Sequence, residues 1–158
     1  MTARRRLRAL EAETARRAQV AGRHNRRVLL TAQSLMPPHL LAALGEVERV
    51  WGDDDAGLAR CIADLTPPGA GLDLSPSRCP VAAWVAGAAS ALDEDLPLPP
   101  PPPSAAATLN AQAARWAQLA QDHAGQPLGQ VARYREAHLT MCFLLAEAWQ
   151  AAMPRGAK

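Results

Sequence analysis

The sequence predicts an all-α protein, and three observations support this fold class. Long stretches of the 158-residue chain consist of strong helix formers without proline. Apolar residues within these stretches recur at spacings of three, four or seven, which is the period of one helix face. Clusters of proline, glycine and serine separate the stretches. Because the apolar residues are mostly alanine, the four tryptophans are expected to anchor the packing.

The chain is predicted to consist of four segments, three of them helical. A basic N-terminal helix, or arm, covers residues 1–35, and a small acidic helical body covers 36–96. A polyproline linker covers 97–104, and an antiparallel helical hairpin covers 105–158. Whether the body and the hairpin share one core does not follow from the sequence.

The first helix is predicted from Ala3 to about Leu35. A strict heptad repeat that begins at Leu7 would place Arg17 and His24 in core positions, so a self-sufficient coiled coil is disfavoured. We expect this helix to dock through its C-terminal end and to leave residues 2–27 projecting or dependent on a partner. Its apolar stripe consists of Leu7, Leu10, Thr14, Ala18, Ala21, Val28, Ala32 and Leu35.

Three shorter helices are predicted in the acidic body. The proline pair at 37–38 ends the first helix and opens the second, which runs to Trp51. Asp53 is expected to cap the third helix, and a fourth covers residues 80–92. The apolar faces of these helices are Leu40, Leu41, Leu44, Val47 and Trp51; then Leu58, Cys61, Ile62 and Leu65; and then Val81, Trp84, Val85 and Ala88.

The linker contains five consecutive prolines at 99–103, which favour a polyproline II helix with a rise of about 3.1 Å per residue. We interpret it as a structural spacer. A docking motif for a proline-binding domain is the alternative, although the acidic flank at 93–95 does not suit such a contact.

The hairpin is predicted from two long helical stretches joined by a turn at 125–127. Ser104 is expected to cap the first arm, which runs to about residue 124. The second arm is predicted from Leu128 to Met153, and two antiparallel helices of this length pack readily. The predicted inner faces are Leu109, Ala113, Trp116 and Ala120, and Val131, Tyr134, His138, Met141, Cys142, Leu145, Trp149 and Ala152.

The charge distribution is the strongest functional signal. Residues 1–27 hold nine arginines against two glutamates, a net charge of +7, whereas residues 28–158 carry −5. This asymmetry is typical of an arm that meets nucleic acid or an anionic protein surface. The candidate binding residues are Arg4, Arg5, Arg6, Arg8, Arg16, Arg17, Arg23, Arg26 and Arg27.

Three interpretations of the arm stay open. In the first, the arginines bind the nucleic-acid backbone regardless of sequence, because only Gln19 and Asn25 are placed to read bases and no aromatic residue is available to stack on them. In the second, the arm docks on acidic protein surfaces, such as 53–55 or 93–95 of this chain or of another subunit. In the third, it is a solvated helix.

Catalytic signatures are absent from the sequence. His138 and Cys142 lie four residues apart on one predicted helix face, which is half of a metal site, but their apolar neighbours favour a core histidine beside a buried thiol. Cys79 precedes a helix start, where a thiol pKa can fall, although a packing role is favoured. The three cysteines, an odd number, suit reduced thiols.

The sequence therefore predicts a non-enzymatic interaction or assembly subunit whose basic arm engages the nucleic-acid backbone. A homo-oligomeric scaffold is the alternative, and a cysteine-dependent enzyme is a remote one. We expect no cofactor, no metal and no membrane span, since no stretch approaches about 20 consecutive apolar residues. A cytoplasmic location is expected.

Overall fold

A computed structural model describes residues 3–52, 54–69 and 79–153 of the chain. These residues form six α-helices and contain no strand, so the predicted all-α fold is confirmed. The helices are α1 (Ala3–Leu35), α2 (Pro38–Trp51), α3 (Asp55–Leu65), α4 (Pro80–Asp93), α5 (Ala105–Asp122) and α6 (Pro127–Ala152).

The helix boundaries follow local chemistry. α2, α4 and α6 begin with proline in the first turn, where the missing N–H costs nothing. The predicted cap Asp53 lies outside the described residues, and the observed cap of α3 is Asp54, whose carboxylate accepts the N–H of Gly57 at 2.9 Å. Ser104 occupies the N-cap position of α5, as predicted, but its side chain makes no capping hydrogen bond. The N–H of Ala105 bonds instead to the carbonyl of Pro102 at 2.9 Å.

The helix α6 is the centre of the fold, since α1, α2, α3 and α5 all contact it. One core cluster joins Val28 of α1, Trp84 of α4, Trp116 of α5 and Leu145 of α6. A smaller cluster joins Met36 and Leu40 to Ala137 of α6, with Ala43, Leu44, Met141 and Leu144 packed around it. The body and the hairpin therefore share one core. The division of the chain into the four predicted segments stays a prediction.

The buried face of α6 differs from the predicted one. Of the predicted face only Cys142 and Leu145 are fully buried, whereas Tyr134, His138 and Trp149 are half-buried. The prediction assumed one partner helix, but α5 covers one side of α6 while α1 and α2 cover another. Small side chains let these neighbours approach closely. The residues buried on α6 are Gly129, Ala132, Glu136, Ala137, Leu139, Cys142, Leu145, Ala146 and Ala148.

The proline-rich segment packs along the body and does not stand free. The indole N–H of Trp84 donates to the carbonyl oxygen of Pro99 at 2.9 Å, and Leu98 and Pro101 are buried. On its other side the segment is held by Asn25 of α1, whose side-chain amide donates to the carbonyl of Leu96 at 2.6 Å. The linker thus connects α4 to α5 and also closes the core between α1 and α4.

Candidate functional site: a basic arm and an apolar groove

The helix α1 has a docked part and a projecting part. Ala21, Asn25, Val28 and Ala32 are buried, and they recur every three or four residues, so one face of α1 is covered from Ala21 onward. Before that point the described side chains are exposed, apart from the half-buried Ala18. We name residues 3–20 the arm. Docking through the C-terminal end agrees with the prediction, but it begins at Ala21, earlier than expected.

Six arginine positions lie on the side of α1 opposite its docked face. At about 100° per residue, they fall within an arc of about 100° that points away from Ala21, Val28 and Ala32. From Arg5 to Arg27 this surface extends over about 33 Å, at about 1.5 Å of rise per residue. We name it the basic face; its positions are Arg5, Arg8, Arg16, Arg23, Arg26 and Arg27.

The structure places the nine predicted arginines as follows. Arg6, Arg8, Arg16, Arg17, Arg23, Arg26 and Arg27 are exposed, and the side chains of Arg4 and Arg5 lie outside the described part of the chain. Arg6 and Arg17 lie beside the apolar stripe and not on the basic face.

Most of these cations have no carboxylate partner in the described residues. Arg17 pairs with Glu13 at 2.9 Å on the exposed surface, where such a pair contributes little to stability. Among the described residues, Arg23 donates only to the carbonyl of Gln19, at 3.5 Å. Arg8 and Arg16 make no ion pair within the described ranges, so their charge is available to a partner.

The acidic segment 93–95 does touch α1, but not through the arginines. Gly22 lies against Asp95: a Cβ atom on that glycine would stand 3.2 Å from the Asp95 carboxylate. The polar link is made by Asn25, which also accepts the N–H of Leu98 at 3.3 Å. Among the described residues, docking of α1 on its own chain therefore leaves the basic face open.

Asn25 is not available to read bases, which corrects the sequence interpretation. Its side chain is buried, and its amide is used by the backbone of the 91–98 segment. Gln19 stays exposed on the arm. The surface of α1 can therefore contact a nucleic-acid backbone through its arginines, but of the two candidate amides only Gln19 remains available to contact bases.

The second feature is a cavity of about 570 Å³ between α2, α3 and the first turns of α6, which we name the apolar groove. This volume falls in the range of about 300–1,000 Å³ that is usual for ligand sites. Its lining also includes Glu46, where a side-chain hydrogen bond from Arg49 lowers the pKa of the carboxyl group and keeps it ionised. The apolar lining residues include Val47, Val50, Trp51, Leu58, Cys61, Ile62, Leu65 and Val131.

Sequence reasoning missed this groove, because it assigned Trp51, Leu58 and Ile62 to core-facing surfaces. In the structure these three residues are only half-buried, and Val50 is 56% exposed. A usable signal was present: the acidic body has more apolar faces than its short helices can bury among themselves.

The surroundings of His138 and Cys142 favour a structural role for the pair over a reactive one. The Cys142 sulfur lies 3.8 Å from Nε2 of His138, and burial raises the pKa of that thiol to about 12. Burial is the main cause that lowers the pKa of His138, and the positive charge of Arg135 lowers it further. The thiol is thus protonated and the imidazole neutral near pH 7, which is the reverse of an activated pair. The described residues contain no group of three or more metal-ligating side chains, and the three cysteines are free.

No single helix in the described residues is long and apolar enough to cross a membrane; α1 and α2 meet that criterion only when joined across a bend of 117°. The comparisons with known proteins give no match among family models, curated proteins or solved structures.

Proposed function

We propose that this protein is a non-enzymatic helical subunit of a larger complex, and that it binds the nucleic-acid backbone through the basic face of α1. The observation that carries the proposal is the position of this face: six arginines lie along one side of a helix whose other side is fixed to an acidic body. A cytoplasmic location belongs to the same proposal.

Counterion release supplies the affinity in this proposal. Duplex DNA carries one charge per about 1.7 Å of helix axis, so a basic face of about 33 Å can meet enough phosphates to use all its arginines. Binding should depend little on sequence, because Asn25 is buried and Gln19 is the one amide side chain of the arm that could read a base. The net charge of −5 on residues 28–158 repels phosphates and orients the arm toward them.

The homo-oligomeric scaffold role has one observation in its favour, which is the apolar groove that the described residues leave open. A cysteine-dependent activity has less support. Cys142 is buried with a pKa raised to about 12, and Cys61 and Cys79 have no histidine within hydrogen-bonding distance in the described residues.

The test is fluorescence anisotropy on labelled duplex and single-stranded oligonucleotides between about 50 and 200 mM salt. A triple variant of the basic face, with Arg8, Arg16 and Arg23 replaced by Gln, is compared with a triple variant of the body. The body variant replaces three exposed arginines of other helices by Gln: Arg49, Arg60 and Arg115. Both variants lower the net charge by three.

We expect the basic-face variant to flatten the log–log salt slope on duplex DNA by about 2.7, at about 0.9 per lost phosphate contact. The body variant should leave the slope unchanged. Equal losses in both variants would show that net charge and not the basic face matters. No affinity of the wild type for duplex or single strand at about 50 mM salt would refute the proposal.

A further inference from the structure

We propose that the apolar groove is the docking site for the arm of a second copy of this chain, so that copies join head to tail. This inference does not depend on nucleic-acid binding. It connects two unpartnered surfaces of the described structure: a groove without an occupant and a projecting helix whose apolar side is uncovered.

The groove has the composition of a helix-binding site. Its walls come mainly from α2, α3 and α6, with Ala120 of α5 at one end, and Val50, Trp51 and Ile62 expose apolar surface toward it. Amphipathic helices bind such grooves through apolar side chains spaced three or four residues apart. The two charged residues of the lining, Glu46 and Arg133, pair with residues of their own helices.

The arm presents a matching stripe. Leu10 is 66% exposed, and Thr14 and Ala18 follow it at spacings of four. At about 100° per residue, this stripe lies on the same side of α1 as the buried Ala21 and Val28. It therefore continues the docked face of α1 beyond the end of the body, where no part of the described chain covers Leu10.

Charge favours the same pairing. The arm holds six arginines against two glutamates, a net charge of +4. The segment 38–65, which builds two walls of the groove, holds six acidic residues against two arginines, a net charge of −4. Attraction between these surfaces raises the rate of association and opposes contacts between two arms or between two grooves.

The arm cannot fill the groove of its own chain. α1 is one uninterrupted helix, and its second half is already fixed on the body at Ala21, Val28 and Ala32. The occupant is therefore the arm of another copy. Because the arm and the groove are different surfaces, the contact is heterologous, and it produces rings or open chains. The basic face points away from the stripe and stays free in such an assembly.

The experiment is sedimentation velocity at about 50 mM salt, with protein from about 1 µM to 1 mM. Leu10→Gln removes the central apolar side chain of the arm, and Leu30→Gln is its control, because Leu30 is 53% exposed on the other side of α1. Val50→Arg places a cation in the groove, and Leu41→Arg is its control, because Leu41 is 40% exposed on the opposite side of α2. All four sites are exposed, so the fold should tolerate each change.

We expect the wild type to assemble with increasing concentration. Leu10→Gln and Val50→Arg should each weaken assembly about tenfold or more, as expected for the loss of a buried leucine or the burial of an unpaired charge, while the controls should match the wild type. An equimolar mixture of the two variants should form a one-to-one dimer, since it retains one intact arm and one intact groove.

A wild type that stays monomeric over the whole range would overturn the inference, and so would an assembly that both variants retain. A mixture that stays monomeric while each variant is folded would do the same. Nucleic-acid binding is measured separately on Leu10→Gln, which keeps every arginine, so the failure of one proposal is distinguishable from the failure of the other.

Discussion

The side-chain oxygen of Asn25 accepts the backbone N–H of Leu98 at 3.3 Å, across 73 positions of sequence. The same side chain donates to the carbonyl of Leu96 at 2.6 Å. One amide therefore satisfies the carbonyl of Leu96 and the N–H of the buried Leu98, and it ties α1 to the proline-rich segment. This contact marks the place where the projecting part of α1 becomes part of the body.

Replacement of Asn25 by Ala should lower the free energy of unfolding by about 1 to 3 kcal/mol, because it leaves the buried N–H of Leu98 without its partner and removes the bond to the carbonyl of Leu96. Asn25→Asp should be at least as harmful, since a carboxylate would face two carbonyl oxygens. Urea unfolding followed by circular dichroism gives the measurement. Gln19→Ala, an exposed change on the same helix, should stay within about 0.5 kcal/mol of the wild type. Equal stability of the Asn25 and Gln19 variants would contradict the role of this contact.

The two tryptophans of the hairpin should differ in their contribution to stability. Trp116 is 3% exposed, and the Arg135 guanidinium lies over its ring at 5.7 Å, whereas Trp149 is half-buried at the edge of the same core cluster. Trp116→Ala should cost about 3 to 5 kcal/mol and Trp149→Ala clearly less. Denaturant unfolding of both variants decides this order, and the reverse order would show that the core is centred elsewhere.

Stability should fall on mild acidification because of His138. Burial and Arg135 hold its folded-state pKa below the ordinary value near 6.5, so the unfolded chain binds a proton first as the pH falls. The free energy of unfolding should therefore decrease as the pH drops through about 6.5 toward 5. His138→Gln should flatten this dependence, and the exposed His39→Gln should not. A wild-type profile that is flat over this interval would contradict the prediction.

Removal of residues 2–20 should leave a folded body, because docking begins at Ala21. The truncated chain should lose much of its affinity for duplex DNA, measured by anisotropy, since it keeps only Arg23, Arg26 and Arg27 of the basic face and residues 21–158 carry a net charge of −2. Removal of residues 2–27, by contrast, also deletes Ala21 and Asn25 and should lower the thermal midpoint by several degrees. Equal midpoints for the two truncations would show that the Asn25 junction is dispensable.

Thiol titration should distinguish the cysteines. Cys142 is buried and its pKa is raised to about 12, so it should resist Ellman's reagent near pH 8 in the native protein. Cys61 and Cys79 are half-buried and should react faster. All three should react in denaturant. Rapid native reaction of Cys142, identified in the Cys61→Ala and Cys79→Ala double variant, would contradict its structural role.

The sequence alone determined the helices and the separation of charge. Prolines at 37–38, 80 and 127 restrict where helices begin, because the ring fixes φ and removes a donor, and these restraints are local. The predicted inner face of α5 was also right, since Leu109, Ala113, Trp116 and Ala120 are all buried and lie on one side of the helix. A single packed side leaves a clear period in the sequence.

The tertiary structure decided what periodicity cannot encode. α6 contacts helices on more than one side, so its small residues are buried all round and no single stripe predicts them. From the sequence, Asn25 was expected to lie on the surface and to be able to contact bases. In the structure its amide is hydrogen-bonded to the backbone of the 91–98 segment, which is distant in sequence. The apolar groove arises because Trp51, Leu58 and Val131 come from three helices that do not close on one another. Burial at such positions depends on which segments distant in sequence come into contact, and the local spacing of apolar residues does not determine those contacts.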